Sequence, residues 1–426
     1  MRLALSRALA GCLAVLSVAA LSACGGTSNS GDGGTAAGPT SPAGNTVDVY
    51  ASLPLRGPEA ADAIPLANGI KLALAQARGK AGPFKVQYAL LDDSVSNAGW
   101  DASQTAANAR RVAADPHAVY YIGEFDDDAS EVSMPILNQA GIAQVSPSNT
   151  YVGLTTNQLG GASGGPPFAP TGTRTYLRIV PTDSVQAAAD LQAMHDADCT
   201  KVAIASDDEA YGMGLAKLML LQKSFYGTDV VSFGGVNPHA ASFHTYAEML
   251  KSLHVDCFMF DGVASKGAVQ IVKDVHLALP TTKIFGPQDM CTSAWTNPKD
   301  GGVPASVAPL IECTESTLNL TAYPGGKAFL AAYEAMYRGS TPNAYALLGY
   351  EAMRLGLTTI AGLGANGDSK SAVLSALFAT AGRRSVLGTY SFDKAGDTTL
   401  RSIGLYKVGA NGNPTFVKTI VPPHVL

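Results

Sequence analysis

From residue 47 onward, short apolar runs alternate with segments long enough to be helices, and that rhythm narrows the fold more than any other feature. Residues 47–53 read as a strand, 64–78 as a helix, 84–91 as a strand and 98–114 as a helix. Strand 118–122, helix 129–140 and strand 142–145 continue the series. Apolar runs of this length separated by helices mean βαβ units and a parallel sheet. The pattern restarts after Pro181, where Thr182 and Asp183 cap a helix running to Ala197. Strands 201–206, 230–233, 255–260 and 283–285 then alternate with helices 212–225, 242–253 and 265–275. Two further helices, 326–338 and 344–360, precede a β-like tail at 388–392, 401–408 and 415–421. The expected fold class is α/β: two Rossmann-like lobes with parallel central sheets, joined by a multi-crossover hinge. Such a layout places a ligand cleft between the carboxyl ends of the two sheets.

The start of the chain speaks to compartment. Arg2 and Arg7 precede an apolar run from Ala8 to Leu21, too short for a comfortable membrane span. It ends in Leu21-Ser22-Ala23-Cys24, which resembles the lipobox of bacterial lipoproteins, with Cys24 as the residue that takes the lipid. Residues 1–23 are thus read as a signal peptide. Residues 24–46 are rich in Gly, Ser, Thr, Ala and Pro and read as a flexible tether. The whole chain is 46% hydrophobic and 15% charged, which excludes both a disordered tail and an integral membrane protein. Its net charge of -5, without a basic stripe on any expected helix, argues against nucleic acid as a partner.

Cysteine usage fits export. Cys12 leaves with the signal, and Cys199, Cys257, Cys291 and Cys313 remain beside the lipidated Cys24. Cys291 with Cys313 is the favoured disulfide because it closes a short, loop-rich segment. Cys199 and Cys257 each lie beside an expected strand and could pair or stay as buried thiols. No C-x-x-C spacing occurs among these four, so a zinc site is not expected.

Motifs of chemistry are scarce. Gly362-Leu363-Gly364-Ala365-Asn366-Gly367 fits G-x-G-x-x-G, but it follows an expected helix, whereas a dinucleotide site needs a strand before it. There is no phosphate-binding G-x-x-x-x-G-K-[ST] and no G-x-S-x-G nucleophile elbow. His239, His244 and His254 lack metal-binding spacing. No nucleophile–base pair is visible, no cofactor is expected, and an enzyme is disfavoured.

The informative residues lie where strands end. Ile122-Gly123-Glu124-Phe125-Asp126-Asp127-Asp128-Ala129-Ser130 leaves one strand and enters a helix, and Gln144-Val145-Ser146-Pro147-Ser148-Asn149-Thr150-Tyr151 leaves the next. Both fall on the carboxyl edge of the first lobe. These segments, followed in order by Ser206-Asp207-Asp208-Glu209-Ala210-Tyr211-Gly212 and Phe285-Gly286-Pro287-Gln288-Asp289, resemble the leucine/isoleucine/valine-binding family of type I periplasmic receptors. The resemblance spans residues 47 to about 421, and it rests on the order of the motifs rather than on any one of them.

The resemblance implies a lipid-anchored receptor of an ABC importer that binds an amino-acid-like or amide solute. Its partners would be the permease subunits and, through the anchor, the membrane; it would act as a monomer on the extracytoplasmic face. A sensor of the same fold that feeds no transporter is the alternative. The resemblance also implies roles for residues. Ser148 matches a backbone carbonyl that meets the ligand ammonium, Thr150 a backbone and hydroxyl that meet both charged ends, and Tyr211 an aromatic contact from the second lobe. Gln288, or its neighbour Asp289, falls where the family often has an acidic partner for the ammonium. The lobes are expected at 47–177 with 315–385, and at 178–314 with 386–426.

Asp127 departs from that pattern, because relatives often carry a Ser there whose hydroxyl receives the ligand carboxylate. Either Asp127 faces the cleft and selects a ligand with a cationic or amide donor, or Asp126-Asp127-Asp128 simply caps its helix. Three adjacent acids lack the alternate spacing and Gly turn of a calcium loop.

Overall fold

The computed structural model describes residues 45–157, 168–409 and 411–426. Cys24, the signal segment and nearly all of the tether lie outside them.

The first sheet is built from β1 (Thr46–Leu53), β2 (Lys80–Ala81), β3 (Phe84–Asp92), β4 (Ala118–Ile122), β5 (Ala143–Ser146) and β6 (Tyr176–Arg178), in the order β2-β3-β1-β4-β5-β6. All its pairings are parallel except β2 with β3. Helices α1 (Ala60–Gln76), α2 (Ala102–Ala113) and α3 (Asp127–Gln139) connect its strands. Every side chain of β4 is buried, as a parallel strand covered by helices on both faces requires. The second helix begins four residues later than its pattern suggests. Gly99 turns the chain with a φ of 95°, and Asp101 accepts the Gln104 amide at 2.9 Å as the N-cap.

The second lobe runs through α4 (Asp183–Asp196), β7 (Val202–Ser206), α5 (Ala210–Gln222), β8 (Val230–Gly235), α6 (His244–Ser252), β9 (Cys257–Asp261), α7 (Lys266–Ala278), β10 (Lys283–Gly286), α8 (Ser293–Thr296) and β11 (Ile311–Glu315). The chain then returns to the first lobe. There α9 (Gly326–Met336), α10 (Ala344–Gly362) and α11 (Lys370–Phe378) pack on the first sheet. Gly69 and Gly349 let α1 and α10 touch backbone to backbone, since a Cβ on either would collide with the carbonyl of Ala346 or Leu66. The short pair β12 (Arg383–Arg384) and β13 (Thr389–Tyr390) stays in the first lobe. Finally β14 (Ile403–Val408) and β15 (Pro414–Ile420) form an antiparallel hairpin on the edge of the second sheet, whose order is β15-β14-β11-β10-β9-β7-β8.

The α/β class and two-lobed architecture agree with the sequence reading. The tail differs in detail: 388–392 contributes only β13, which pairs with β12 rather than with β14. Leu387, Tyr390 and Phe392 are buried in the first core, although the pattern grouped 386–426 with the second lobe. β11 escaped the sequence reading because Glu312 and Thr314 interrupt its apolar run.

Both cysteine pairs are disulfides. Cys291 is bonded to Cys313, tying the loop after β10 to β11, and Cys199 to Cys257, tying the approach to β7 to the start of β9. The first is the expected pair; the second settles the pairing that spacing alone left open.

Candidate ligand-binding cleft

In each sheet one strand lies between two neighbours reached by opposite crossovers: β1 between β3 and β4, and β7 between β8 and β9. Loops leaving the carboxyl ends at such a switch point diverge and leave a crevice. Here the crevices face one another. A cavity of about 710 Å³ is lined by Phe125, Asp127, Ser148 and Thr150 from the first lobe and by Tyr211 and Asp289 from the second. A second cavity of about 700 Å³ shares Asp62, Gln288, Asp289 and Tyr345 with it and extends toward Glu315 and Asn343.

All six residues expected from sequence to contact a ligand therefore line one cleft: Asp127, Ser148, Thr150, Tyr211, Gln288 and Asp289. Ser148 donates its hydroxyl to the Phe125 carbonyl at 2.7 Å, bracing the loop after β5 against the loop after β4. The buried Thr150 accepts the Asp183 amide on its carbonyl at 2.9 Å. Burial pushes Asp183 up to about 6, with the Thr150 hydroxyl and Arg178 opposing the rise. Gln288 accepts the Ser316 hydroxyl at 2.6 Å, which fixes the amide beside Asp289. The Tyr211 hydroxyl is buried and has no hydrogen-bond partner among the described residues.

Asp127 does not cap its helix. Neither it nor Asp126 makes a side-chain cap on α3; instead Asp127 accepts the backbone N–H of Tyr151, in the loop after β5, at 3.2 Å. Burial and the Asp183 carboxylate push Asp127 up to about 8, while Arg178 pulls the other way. Burial, with Glu59 and Asp93 nearby, does the same to Asp126.

Several cleft residues were not singled out in the sequence. Glu59 and Asp62 follow β1 at the switch point, so the strand-end rule that found Asp127 could have found them. Tyr345 lies at the start of α10 and packs against Phe125 with the rings tilted by 52° and their centroids 5.1 Å apart, a contact between residues too distant in sequence for any local pattern to reveal. Arg178 gave no signal either. It is fully buried at the end of β6, binds Asp397 at 2.6 Å and the Thr155 hydroxyl at 2.6 Å, and donates to the Tyr151 carbonyl at 2.8 Å. It thus holds the ligand-side loop to the segment leading into β14.

Among the described residues no group of three His, Cys, Asp or Glu is placed to hold a metal ion, and no helix is long and apolar enough to cross a membrane. The 362–367 glycine motif ends α10 and follows no strand.

Residues 46–413 match the model of the periplasmic binding protein family, and the chain belongs to it, with type I, branched-chain-amino-acid-binding proteins as its relatives. Members are solute-binding proteins of transporters and not enzymes. A Leu/Ile/Val-binding protein homolog of Brucella melitensis is 24% identical over 380 residues, covering 87% of this chain and 93% of that one. The ABC transporter substrate-binding protein of Desulfitobacterium hafniense, solved with Leu, superimposes with a TM-score of 0.69 at 17% identity, covering 87% of this chain and all of that one. A solute-binding protein from Rhodopseudomonas palustris, solved with p-hydroxybenzoic acid, gives 0.66 at 18% identity, covering 88% and 97%. The fold is thus shared by receptors of very different solutes.

Proposed function

We propose that this chain is the extracytoplasmic solute-binding lipoprotein of an ABC importer, anchored through Cys24 and binding an amine- or amide-bearing, amino-acid-like solute between its lobes. The observation that carries the reading is the single cleft lined by Thr150 of one lobe and Tyr211 of the other. A solute bridging the two would favour the closed form, and permease subunits would read that form. The chain leaves one core for the other near residues 180–185, 315–318 and 400–403, which supports three crossings as the hinge.

The test is the solute itself. Native mass spectrometry of gently purified protein is expected to show one small bound molecule, recovered chemically unchanged. Calorimetry with that molecule should show a loss of about tenfold to a hundredfold in affinity for Thr150→Ala, the worth of a charge-assisted hydrogen bond. Unchanged affinity in both Thr150→Ala and Tyr211→Ala would remove the site.

A further inference from the structure

The cleft is acidic to a degree that an α-amino acid does not need. Among the described residues, eight carboxyl side chains line the two joined cavities and no Lys, Arg or His does. They fall into two groups: Asp126 interacts with Glu59, Asp127 and Asp128, while Glu315 interacts with Asp62 and Asp289. Behind the Tyr211 hydroxyl stands a further set, Asp183, Asp190 and Asp261, at most 3% exposed. Among the described residues, both oxygens of Asp261 are buried without a partner, and so is one oxygen each of Asp183 and Asp190. Arg178, the buried cation that acts on Asp127 and Asp183, is already bonded to Asp397.

A free carboxylate on the ligand would find no cation here, and the Tyr151 amide that could receive it is taken by Asp127. A single metal ion does not fit either, because among the described residues no three acids converge on one point. The walls of the first cavity also carry aromatic rings, among them Trp100, Phe125, Tyr151, Tyr211 and Tyr345. Carboxylates distributed along two joined cavities, with aromatic faces on the same walls, match ammonium or guanidinium groups spaced along an alkyl chain, since rings attract cations and cover methylenes.

Resting on the receptor reading above, we infer that the solute of this cleft is an elongated organic cation with two or more amine or guanidine groups, of the di- or polyamine class. Its charges are taken by the Asp126 group at one end and the Asp289–Glu315 group at the other. Burial raises Asp126, Asp127 and Glu315, with values of about 8, 8 and 7, so binding a cation there displaces protons into solvent.

The experiment is isothermal calorimetry on extensively dialysed full-length protein, with putrescine, spermidine and arginine against leucine, benzoate and calcium. Repeating it in two buffers of different ionisation enthalpy reads the protons released. The expected result is that an amine with two or more charges binds at least about a hundredfold more tightly than leucine, with net proton release. Asp126→Asn and Glu315→Gln, each checked for an unchanged melting profile, should each weaken it about tenfold or more. Preferential binding of leucine, benzoate or calcium overturns the inference and leaves the receptor reading standing. If no tested solute binds and native mass spectrometry finds none carried by the protein, both readings fall.

Discussion

The carboxylate of Asp127 accepts the backbone amide of Tyr151 at 3.2 Å, so an acid at the start of α3 is tied to the loop that follows β5 and not to its own helix. That one bond changes what the residue can do. It removes an N–H from the reach of a ligand and leaves a half-buried carboxyl on the cleft wall. Asp127→Asn keeps an acceptor of the same reach and removes the ionisable group, whereas Asp127→Ser leaves only a shorter hydroxyl. The Asn variant should retain its melting temperature and lose affinity for a cationic solute by about tenfold or more. The Ser variant should melt lower and bind neutral α-amino acids better. Equal selectivity in wild type and both variants would show that the acid only braces the loop.

The acidic cleft also predicts how the empty protein responds to pH. Asp126 and Asp127 are raised to about 8, Glu315 to about 7 and Asp289 to about 6, chiefly by burial. Unfolded carboxyls titrate near about 4, so the native state holds more protons between those limits. Stability from these groups is full below about 4 and is lost as pH rises through 6 to 8. Scanning calorimetry should show the melting temperature falling from pH 5 to pH 8. The fall should be shallower in the Asp126→Asn, Asp127→Asn double variant; a double variant that falls as steeply as wild type refutes the assignment.

Arg178 is the second residue to probe. It is fully buried and forms an ion pair with Asp397 at 2.6 Å. Removing one partner of a buried pair strands the other, a cost of about 3–5 kcal/mol. Arg178→Met should therefore lower the denaturant midpoint, and Asp397→Asn should lower it at least as much, because it strands a fully buried guanidinium whereas the carboxylate stranded by Arg178→Met is 13% exposed. Arg178→Lys should restore only part, since one ammonium cannot replace a guanidinium that reaches Asp397, Thr155 and Tyr151 together. A midpoint unmoved by Arg178→Met would show that the contacts carry no net stability.

For the covalent framework, non-reducing peptide mapping should recover Cys199 with Cys257 and Cys291 with Cys313. Replacing Cys291 and Cys313 together by Ala should reduce stability by ~2–4 kcal/mol, because the bond closes a loop with a separation of 22 residues in the unfolded chain. The melting curve of that variant under oxidising conditions provides the check. No change on losing the pair would mean the rest of the lobe already fixes this segment.

The anchor has a separate readout. Mature protein should begin at Cys24 and carry acyl chains, two or more of which hold a protein stably at a membrane where one does not. Cys24→Ser should release it into the soluble fraction. An unmodified Cys24 in intact-mass analysis counts against the anchor without touching the cleft.

Much of this protein was written in its sequence because the signals are local. Strand β4, read as 118–122, stands at the same residues in the fold, since a short, fully apolar run between two helices fits a covered parallel strand. Alternation of strands and helices determined the α/β class, and the family resemblance carried by segments at strand ends singled out Asp127, Ser148, Thr150, Tyr211, Gln288 and Asp289, which line one cleft. Tertiary structure alone decided what required distant segments to meet. Cys199 could be matched to Cys257 only once β7 and β9 were neighbours. Whether Asp127 capped α3 or faced the ligand depended on the Tyr151 amide, 24 residues away, which no helical periodicity encodes. The acidity of the cleft is likewise a property of juxtaposition: Glu59, Asp127, Asp289 and Glu315 are spread along the chain, and their charges add only where four strand ends converge.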